Sequence, residues 1–340
     1  MTAAIITDNN KYLSAKRSPG KHLAGHWEFP GGKIEQGETP EQCLKRELKE
    51  EFTIESEVGE FVAESIFDYG DKRIRLLAYK VKHLSGEFQL IDHDEIRWLP
   101  IEELDSLKWA PADLPIIEAL KQQAKAQPTA EFYSNNAKTY YDETLANDVN
   151  HVCERFLSTL ENPLQTPSAD KQHILDLGCG AGRDSKVFLN AGFTVTALEA
   201  SKELALLAED YIGQPVLNMR YQQLQTKNTY DGIWACASLL HCPKSQIEYV
   251  MQNCIDALKE GGVFYFSFKQ GVGERLDDWG RFFNDYTPES LKTLIAKFDE
   301  LEVIELWQET ALLRGKDQTW VNGLVRKVGE PSGAVQKDKQ

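Results

Sequence analysis

Short apolar runs separated by polar turns dominate the first 120 positions. Residues 3–6, 13–15, 60–66, 74–81 and 95–99 read as strands, whereas a helical period appears only at 40–52 and 114–120. This pattern predicts an α+β unit. From residue 131 the rhythm changes to a helical stretch at 131–160, then strand 173–177, helix 183–190, strand 193–198, helix 202–210, strands 216–219 and 232–236, helix 244–259 and strand 263–268. Such alternation implies a parallel sheet covered by helices on both faces.

Two stretches interrupt the rhythm. KQQAKAQPT, residues 121–129, leaves a helix that ends near Leu120 and passes through Pro128, a predicted helix stop. The expected organisation is therefore a first domain at 1–124, a linker at 125–130 and a second domain at 131–328. NPLQTPSADK, residues 162–171, reads as a loop inside the second domain, and the polar tail at 329–340 is expected to be disordered. No internal repeat occurs at solenoid spacing.

Composition agrees with two folded domains: the chain has 340 residues, 41% of them hydrophobic and 27% charged. A net charge of −15 repels phosphate backbones and anionic membranes, which argues against bulk nucleic-acid binding. No apolar run approaches the ~20 residues of a membrane-spanning helix. The opening MTAAIITDNN lacks the basic and apolar regions of a signal peptide, so the expected location is cytoplasmic. Six cysteines without tight pairing read as free thiols there; a metal held by Cys236, His241 and Cys242 is the lesser reading.

Chemistry concentrates first between Gly31 and Ile54. GGKIEQGE, Gly31 to Glu38, is followed after seven residues by RELKEE, Arg46 to Glu51. On a helix Glu47, Glu50 and Glu51 share one face. Carboxylates so close repel one another unless a cation sits among them, and hard oxygen donors suit Mg²⁺ or Mn²⁺. Such ions polarise phosphoryl groups and lower the pKa of a bound water, while glycines let backbone approach metal and phosphate. A solvated acidic helix would account for the carboxylates, but not for the glycine loop and the Arg46-Glu47 pair at this spacing.

These residues resemble the Nudix hydrolases, whose box Gly-x5-Glu-x7-Arg-Glu-apolar-x-Glu-Glu-x-Gly-apolar is matched from Gly32 to Ile54. Thr53 stands where the box has a helix-ending glycine, and a β-branched residue adopts the left-handed conformation poorly, so a different helix end is expected. The resemblance narrows to MutT-type nucleoside-triphosphate pyrophosphohydrolases through AKR at Ala15–Arg17, GHWEFP at Gly25–Pro30 and WAPAD at Trp109–Asp113. It implies a Nudix α+β sandwich over residues 3–120, with metal held by the Gly31 carbonyl, Glu47, Glu50 and Glu51. It further implies substrate contacts at Arg17 (phosphate), Glu28, Phe29 (near the base) and Asp113 (a base edge). The Ala-Pro-Ala-Asp version looks most like CTP pyrophosphohydrolases. Glu95, in HDEIRW, is a further candidate metal ligand or base, with an exposed strand-end carboxylate as the alternative.

A second constellation, ILDLGCGAGRD from Ile174 to Asp184, runs from an apolar strand through a glycine turn into a helix, and Glu199 ends the next predicted strand. Backbone in such a turn approaches a nucleotide-like ligand, and an acid at that strand end is placed to accept ribose hydroxyls. NAD-binding sheets share this logic, so another nucleotide remains an alternative. The order Gly-x-Gly-x-Gly after Asp-Leu resembles motif I of class I S-adenosylmethionine-dependent methyltransferases. YDGIWA at 230–235 and LKEGG at 258–262 extend the likeness over roughly 131–326. It implies a Rossmann-like sheet in which Asp176, Gly178, Gly180 and Gly182 line the methionine side. Glu199 would hold the ribose, Gln222 lie near the adenine amine and Ala235 lie near the sulfonium. His241 is a candidate base or a packed histidine, and Arg281 a candidate anchor for an anionic substrate. Tyr133, Tyr140 and Tyr141 either cover the cofactor or pack the core.

The expected protein is a bifunctional enzyme. Its first domain hydrolyses a nucleoside triphosphate, modified or oxidised, to monophosphate and pyrophosphate, and its second transfers a methyl group from S-adenosylmethionine to a small acceptor. The alternatives are a nucleotide or S-adenosylmethionine sensor without turnover in one domain, and Nudix action on a nucleoside diphosphate conjugate.

Overall fold

The structure is a computed structural model that describes residues 1–70, 72–147, 149–160, 171–313 and 316–329. Of the expected loop at 162–171 and tail at 329–340, residues 162–170 and 330–340 lie outside them. The chain divides into two compact units, Met1–Ala124 and Lys125–Gln340.

In the first unit, β1 (Thr2–Asp8), β2 (Lys11–Arg17), β3 (Trp27–Glu28), β4 (Glu55–Asp68), β5 (Arg73–Ser85) and β6 (His93–Pro100) form a mixed sheet in the order β3-β2-β1-β5-β4, with β6 also paired to β2. β1 runs parallel to β5, and its neighbours are otherwise antiparallel. Side chains on a strand alternate between faces, so one apolar run serves two cores. Ala4 and Ile6 of β1 pack with Leu44, Leu48 and Phe52 of α1 (Pro40–Phe52). Ala3 and Ile5 pack instead with Ile116, Ile117 and Leu120 of α2 (Leu114–Asn135). The α+β sandwich read from the sequence is the observed fold.

α1 starts where its sequence dictates. Pro40 occupies the first turn, and Thr39 and Gln42 cap each other reciprocally, with bonds of 3.3 and 2.9 Å. It ends with Thr53 at φ 58°, ψ 26°, the left-handed cap that a glycine would take, its N–H donating to the Lys49 carbonyl at 3.1 Å. The helix end is thus retained and the strain falls on the threonine. Replacing Thr53 with Gly is expected to stabilise the protein by about 1 kcal/mol, less whatever the Thr53 hydroxyl contributes toward the Glu87 carbonyl. Chemical denaturation of the two forms reads this directly; a less stable Thr53→Gly protein would show that the hydroxyl outweighs the strain.

Pro128 does not stop a helix. α2 runs through it, carrying the chain from one unit into the next. Proline removes one backbone donor, but the Thr129 hydroxyl one residue later accepts from the Phe282 N–H at 2.8 Å and ties this turn to the second unit's core. The helical stretch expected to Leu160 is broken instead at Asn136, giving α3 (Ala137–Leu145) and α4 (Asn150–Leu157).

The second unit then alternates through β7 (His173–Leu177), α5 (Arg183–Asn190), β8 (Thr194–Glu199), α6 (Lys202–Ile212), β9 (Val216–Asn218), β10 (Tyr230–Ala235), α7 (Lys244–Ala257) and β11 (Leu258–Lys269). The hairpin β12 (Gly273–Leu276) and β13 (Phe282–Asp285), helix α8 (Pro288–Ile295), and strands β14 (Leu301–Leu313) and β15 (Lys316–Lys327) complete it. Sheet order is β14-β15-β11-β10-β7-β8-β9, parallel from β11 to β9 and antiparallel at β15 and β14. Again one strand feeds two cores: Ile233, Phe264 and Phe266 on one face, Trp234, Val263 and Tyr265 on the other. Strand order reverses between β7 and β10, the place where doubly wound sheets open a crevice for ligands. No helix among the described residues is long and apolar enough to cross a membrane.

Candidate functional site

In the first unit the glycine loop is held along β1 by Thr2 N–H to the Gly32 carbonyl at 2.8 Å and Ala4 N–H to the Pro30 carbonyl at 2.7 Å. Gly32 has no room for a side chain: a Cβ there would lie 2.0 Å from the Glu47 carboxyl carbon. Glycine is what lets this backbone touch the carboxylate helix. Arg46 links loop and helix, donating two bonds to Glu38 at 2.9 Å, one to Glu47 at 2.9 Å, one to Glu50 at 3.2 Å and one to the Lys33 carbonyl at 3.2 Å. Its guanidinium holds the Glu38 carboxyl down to about 2.

Glu51 has the opposite environment. One carboxylate oxygen is buried without a partner, and burial, then the charges of Glu28, Glu47 and Asp92, push its pKa up to about 8. Among the described residues no three acidic, histidine or cysteine side chains already converge as a metal cage. The donor set nevertheless suits a hard divalent cation, because Glu51 is an orphaned oxygen beside like charges. A raised carboxylate pKa means that the folded state keeps a proton the unfolded chain has lost. Metal-free stability therefore falls as pH rises from the ordinary carboxylate range through about 8. Since a bound cation must displace that proton, Mg²⁺ is expected to raise the melting temperature more at about pH 8 than at about pH 6. Equal shifts at both pH values would contradict the assignment of Glu51 to the metal.

The substrate-side residues are coupled to one another. Arg17 and His93 both bond Glu28, His93 Nε2 at 3.0 Å, and the His93 ring stacks on Phe52 at 5.0 Å. Asp113 is buried and accepts from the Phe29 N–H at 3.0 Å; burial pushes its pKa up to about 8. Phe29 itself is only 3% exposed, its ring against Trp109 at 4.7 Å, so it positions Asp113 and does not present an open face. Tyr69, whose hydroxyl accepts from the Ala112 N–H at 3.3 Å, joins this wall. Glu95 is not brought to the carboxylates: it pairs across the strands with Lys16 at 3.6 Å and bonds Arg97 at 2.7 Å. Sequence reasoning gave no role of their own to His93, Tyr69 and Trp109, which meet Glu28, Ala112 and Phe29 across the fold.

In the second unit β7 delivers Asp176 and the glycine turn. Gly178 and Cys179 donate to the Leu198 carbonyl, both at 2.8 Å, and Gly178 sits at φ 80°, where a Cβ would lie 2.6 Å from that of Ser238. Glu199 is buried at the end of β8 and accepts from Gly180 N–H at 3.0 Å and Ser201 N–H at 2.8 Å. Burial raises its pKa while those donors oppose the shift. Asp176 accepts from the Ser185 hydroxyl at 2.6 Å, and burial beside Asp184 pushes it up to about 8. Asp184 in turn accepts from Arg183 at 2.6 Å and from the Trp234 indole at 2.9 Å. Gly182 opens α5 in a left-handed conformation, and Ala235 lies fully buried at the end of β10. Gln222 donates to Gln246 at 3.0 Å and keeps its own buried carbonyl oxygen without a partner, as an acceptor for an amine would be.

Aromatic residues cover this turn. The Tyr140 ring lies 3.5 Å from where a Gly180 Cβ would be, and Tyr133 meets Tyr140 edge-on at 4.9 Å. Tyr141 sits elsewhere, against Tyr211 and Lys138. His241 Nδ1 lies 2.6 Å from the Phe282 carbonyl, which can only accept, so Nδ1 carries the proton and Nε2 accepts from the Tyr133 hydroxyl at 2.9 Å. Burial pushes His241 down to about 4. It is a neutral, doubly bonded ring whose Nε2 becomes a base only if Tyr133 moves. Arg281 is not a free anchor either: Asp277 receives it at 2.8 and 2.7 Å.

The NUDIX domain family matches residues 1–120 and a methyltransferase domain family matches residues 174–262. CTP pyrophosphohydrolase of Escherichia coli is 40% identical over 128 residues, covering 38% of this chain and 95% of that protein. The 8-oxo-dGTP diphosphatase of Escherichia coli is 34% identical over 118 residues, covering 35% of this chain and 92% of that protein. For the second unit, the ubiquinone biosynthesis O-methyltransferase of Coxiella burnetii is 32% identical over 120 residues, covering 32% of this chain and 50% of that relative, so the match spans half its length. The chain belongs to the Nudix hydrolases, and after its Nudix domain it carries a Rossmann-like sheet in which residues 174–262 match a methyltransferase domain family.

Proposed function

We propose that the first domain hydrolyses a nucleoside triphosphate to the monophosphate and pyrophosphate with Mg²⁺ or Mn²⁺, and that the second transfers the methyl group of S-adenosylmethionine to a small acceptor. The observation that carries the first half is Glu51, a buried oxygen without a partner among Glu28, Glu47 and Asp92. Glu47, Glu50 and Glu51, with the Gly31 carbonyl, would hold the cation; when bound, it neutralises phosphate charge and lowers the pKa of an attacking water. That water's oxygen bonds phosphorus as the bridging P–O bond to pyrophosphate breaks. Arg46 keeps the glycine loop against the carboxylate helix, so metal side and phosphate side stay in register. Arg17 is oriented by Glu28 toward the phosphates, and Asp113, fixed by the Phe29 N–H, reads the base edge. The relatives named for CTP and 8-oxo-dGTP suggest a pyrimidine or oxidised purine triphosphate as the substrate.

For the second half, Glu199 holds the ribose, Gln222 accepts from the adenine amine, and the Gly178–Gly182 turn with Asp176 receives the methionine part. Methyl transfer needs in-line positioning more than a fixed catalytic pair, a task suited to the Tyr133–Tyr140 cover. Six free cysteines suit a reducing cytoplasm. The test is a pyrophosphate-release screen with Mg²⁺ over ordinary, oxidised and methylated nucleoside triphosphates, with S-adenosylmethionine present and products weighed by mass. Release from a narrow set is the expected result, and a methylated product of the same nucleotide would couple the domains. No release from any triphosphate would refute the triphosphate reading.

A further inference from the structure

We propose that the methyl acceptor is an anion, a carboxylate or a phosphate monoester, and that Lys269 is the residue that receives its charge. The inference rests on the methyltransferase reading above. Three cations converge on the Phe283 ring: Lys269 at 4.1 Å, Arg275 at 4.7 Å and Arg281 at 5.3 Å from its centroid. Two of them are already answered. Arg275 bonds Asp285 at 2.5 Å, and Arg281 bonds Asp277 while lying 4.9 Å from both the Phe132 and Trp279 rings. Lys269 has the ring alone; among the described residues no carboxylate lies within ion-pair distance of its ammonium. Burial first, and then the Arg281 and Arg275 guanidiniums, push its pKa down to about 8 against the opposing charges of Asp285 and Asp277.

The place of this surplus charge is what ties it to the acceptor. Lys269 ends β11, and the Phe283 ring beneath it meets His241 at 4.8 Å. His241 accepts from Tyr133, Tyr133 abuts Tyr140, and Tyr140 covers Gly180 of the cofactor turn. A chain of edge-on and tilted ring contacts therefore links the cofactor turn to the unpaired ammonium. An acceptor bound beside this chain of rings with its nucleophile toward the cofactor turn would place an anionic group at Lys269. A compact ammonium takes carboxylate or phosphate alike, because it lacks the planar fork that selects between geometries. The sequence suggested Arg281 for this task; its pairing with Asp277 passes the task to Lys269.

The experiment uses the full chain loaded with S-adenosylhomocysteine and titrated separately with benzoate, methyl phosphate and neutral benzamide, followed by calorimetry. Saturable binding of at least one anion, with benzamide weaker, is expected. Lys269→Met should weaken it tenfold or more, and Lys269→Arg should recover most of it, with S-adenosylhomocysteine affinity unchanged in both. Whether benzoate or methyl phosphate binds tighter identifies the group. If neither anion saturates, or if Lys269→Met binds as the parent does, the proposal is overturned. Should Lys269→Met fail to take S-adenosylhomocysteine, Lys269→Gln supplies the same comparison. A parent protein that does not bind S-adenosylhomocysteine at all would overturn the methyltransferase reading itself.

Discussion

Glu51→Gln is expected to lower pyrophosphate release by about 10³-fold or more, since Glu51 is proposed to hold a cation that would neutralise phosphate charge and activate water, worth several kcal/mol of transition-state stabilisation. The substitution keeps size and hydrogen-bonding shape but removes the charge that would attract the cation. It also removes the group that resists ionisation: burial raises the Glu51 pKa to about 8. The metal-free variant should therefore be no less stable than the parent near neutral pH, and its stabilisation by Mg²⁺ should largely vanish. Glu50→Gln should lose activity too, with less effect on metal-free stability, because its side chain is 60% exposed and its ion pair is with Arg46. A steady-state assay and a melting curve for each variant distinguish loss of metal from loss of fold. Release within tenfold of the parent would remove Glu51 from the metal site.

Glu199→Ala is expected to weaken S-adenosylmethionine binding by about 10²-fold, through loss of the charge-assisted hydrogen bonds proposed to two ribose hydroxyls. The same carboxylate also accepts from Gly180 and Ser201 N–H, so its removal also loosens the glycine turn. Glu199→Gln separates these roles, because an amide oxygen still accepts but carries no charge. Asp176→Ala should act more through the turn, because its visible partner is the Ser185 hydroxyl. Calorimetric titration with S-adenosylhomocysteine reads all three. Unchanged affinity in Glu199→Ala would move the ribose elsewhere.

What the sequence makes legible here is chemistry carried by short spacing. Glu47, Glu50 and Glu51 fall on one face of α1 because a helix has 3.6 residues per turn, and the Gly178–Gly182 turn follows β7 because an apolar run ends there. The same local rules fail where distant partners decide. Pro128 looks like a stop until Thr129 is seen bonded to Phe282, 153 positions away. HDEIRW offers Glu95, yet the register of β6 on β2 gives Glu95 to Lys16 and sends His93 to Glu28, 65 positions off. Strands β14 and β15 leave little trace because β14 is a sheet edge carrying Glu302, Glu305 and Glu309, charges that blunt an edge and hide its alternation. The cation left over at Lys269 is invisible in the sequence, since it depends on Asp277 and Asp285 being taken by two arginines.

The measurement that bears most directly on the proposal of two active centres is a crossed assay of the parent, Glu51→Gln and Glu199→Ala, each tested for Mg²⁺-dependent pyrophosphate release and for S-adenosylhomocysteine affinity. Glu51→Gln should lose the first and keep the second, and Glu199→Ala should do the reverse. A parent with neither property, or a Glu51→Gln protein that still releases pyrophosphate at the parent's rate, would contradict the assignment of these centres.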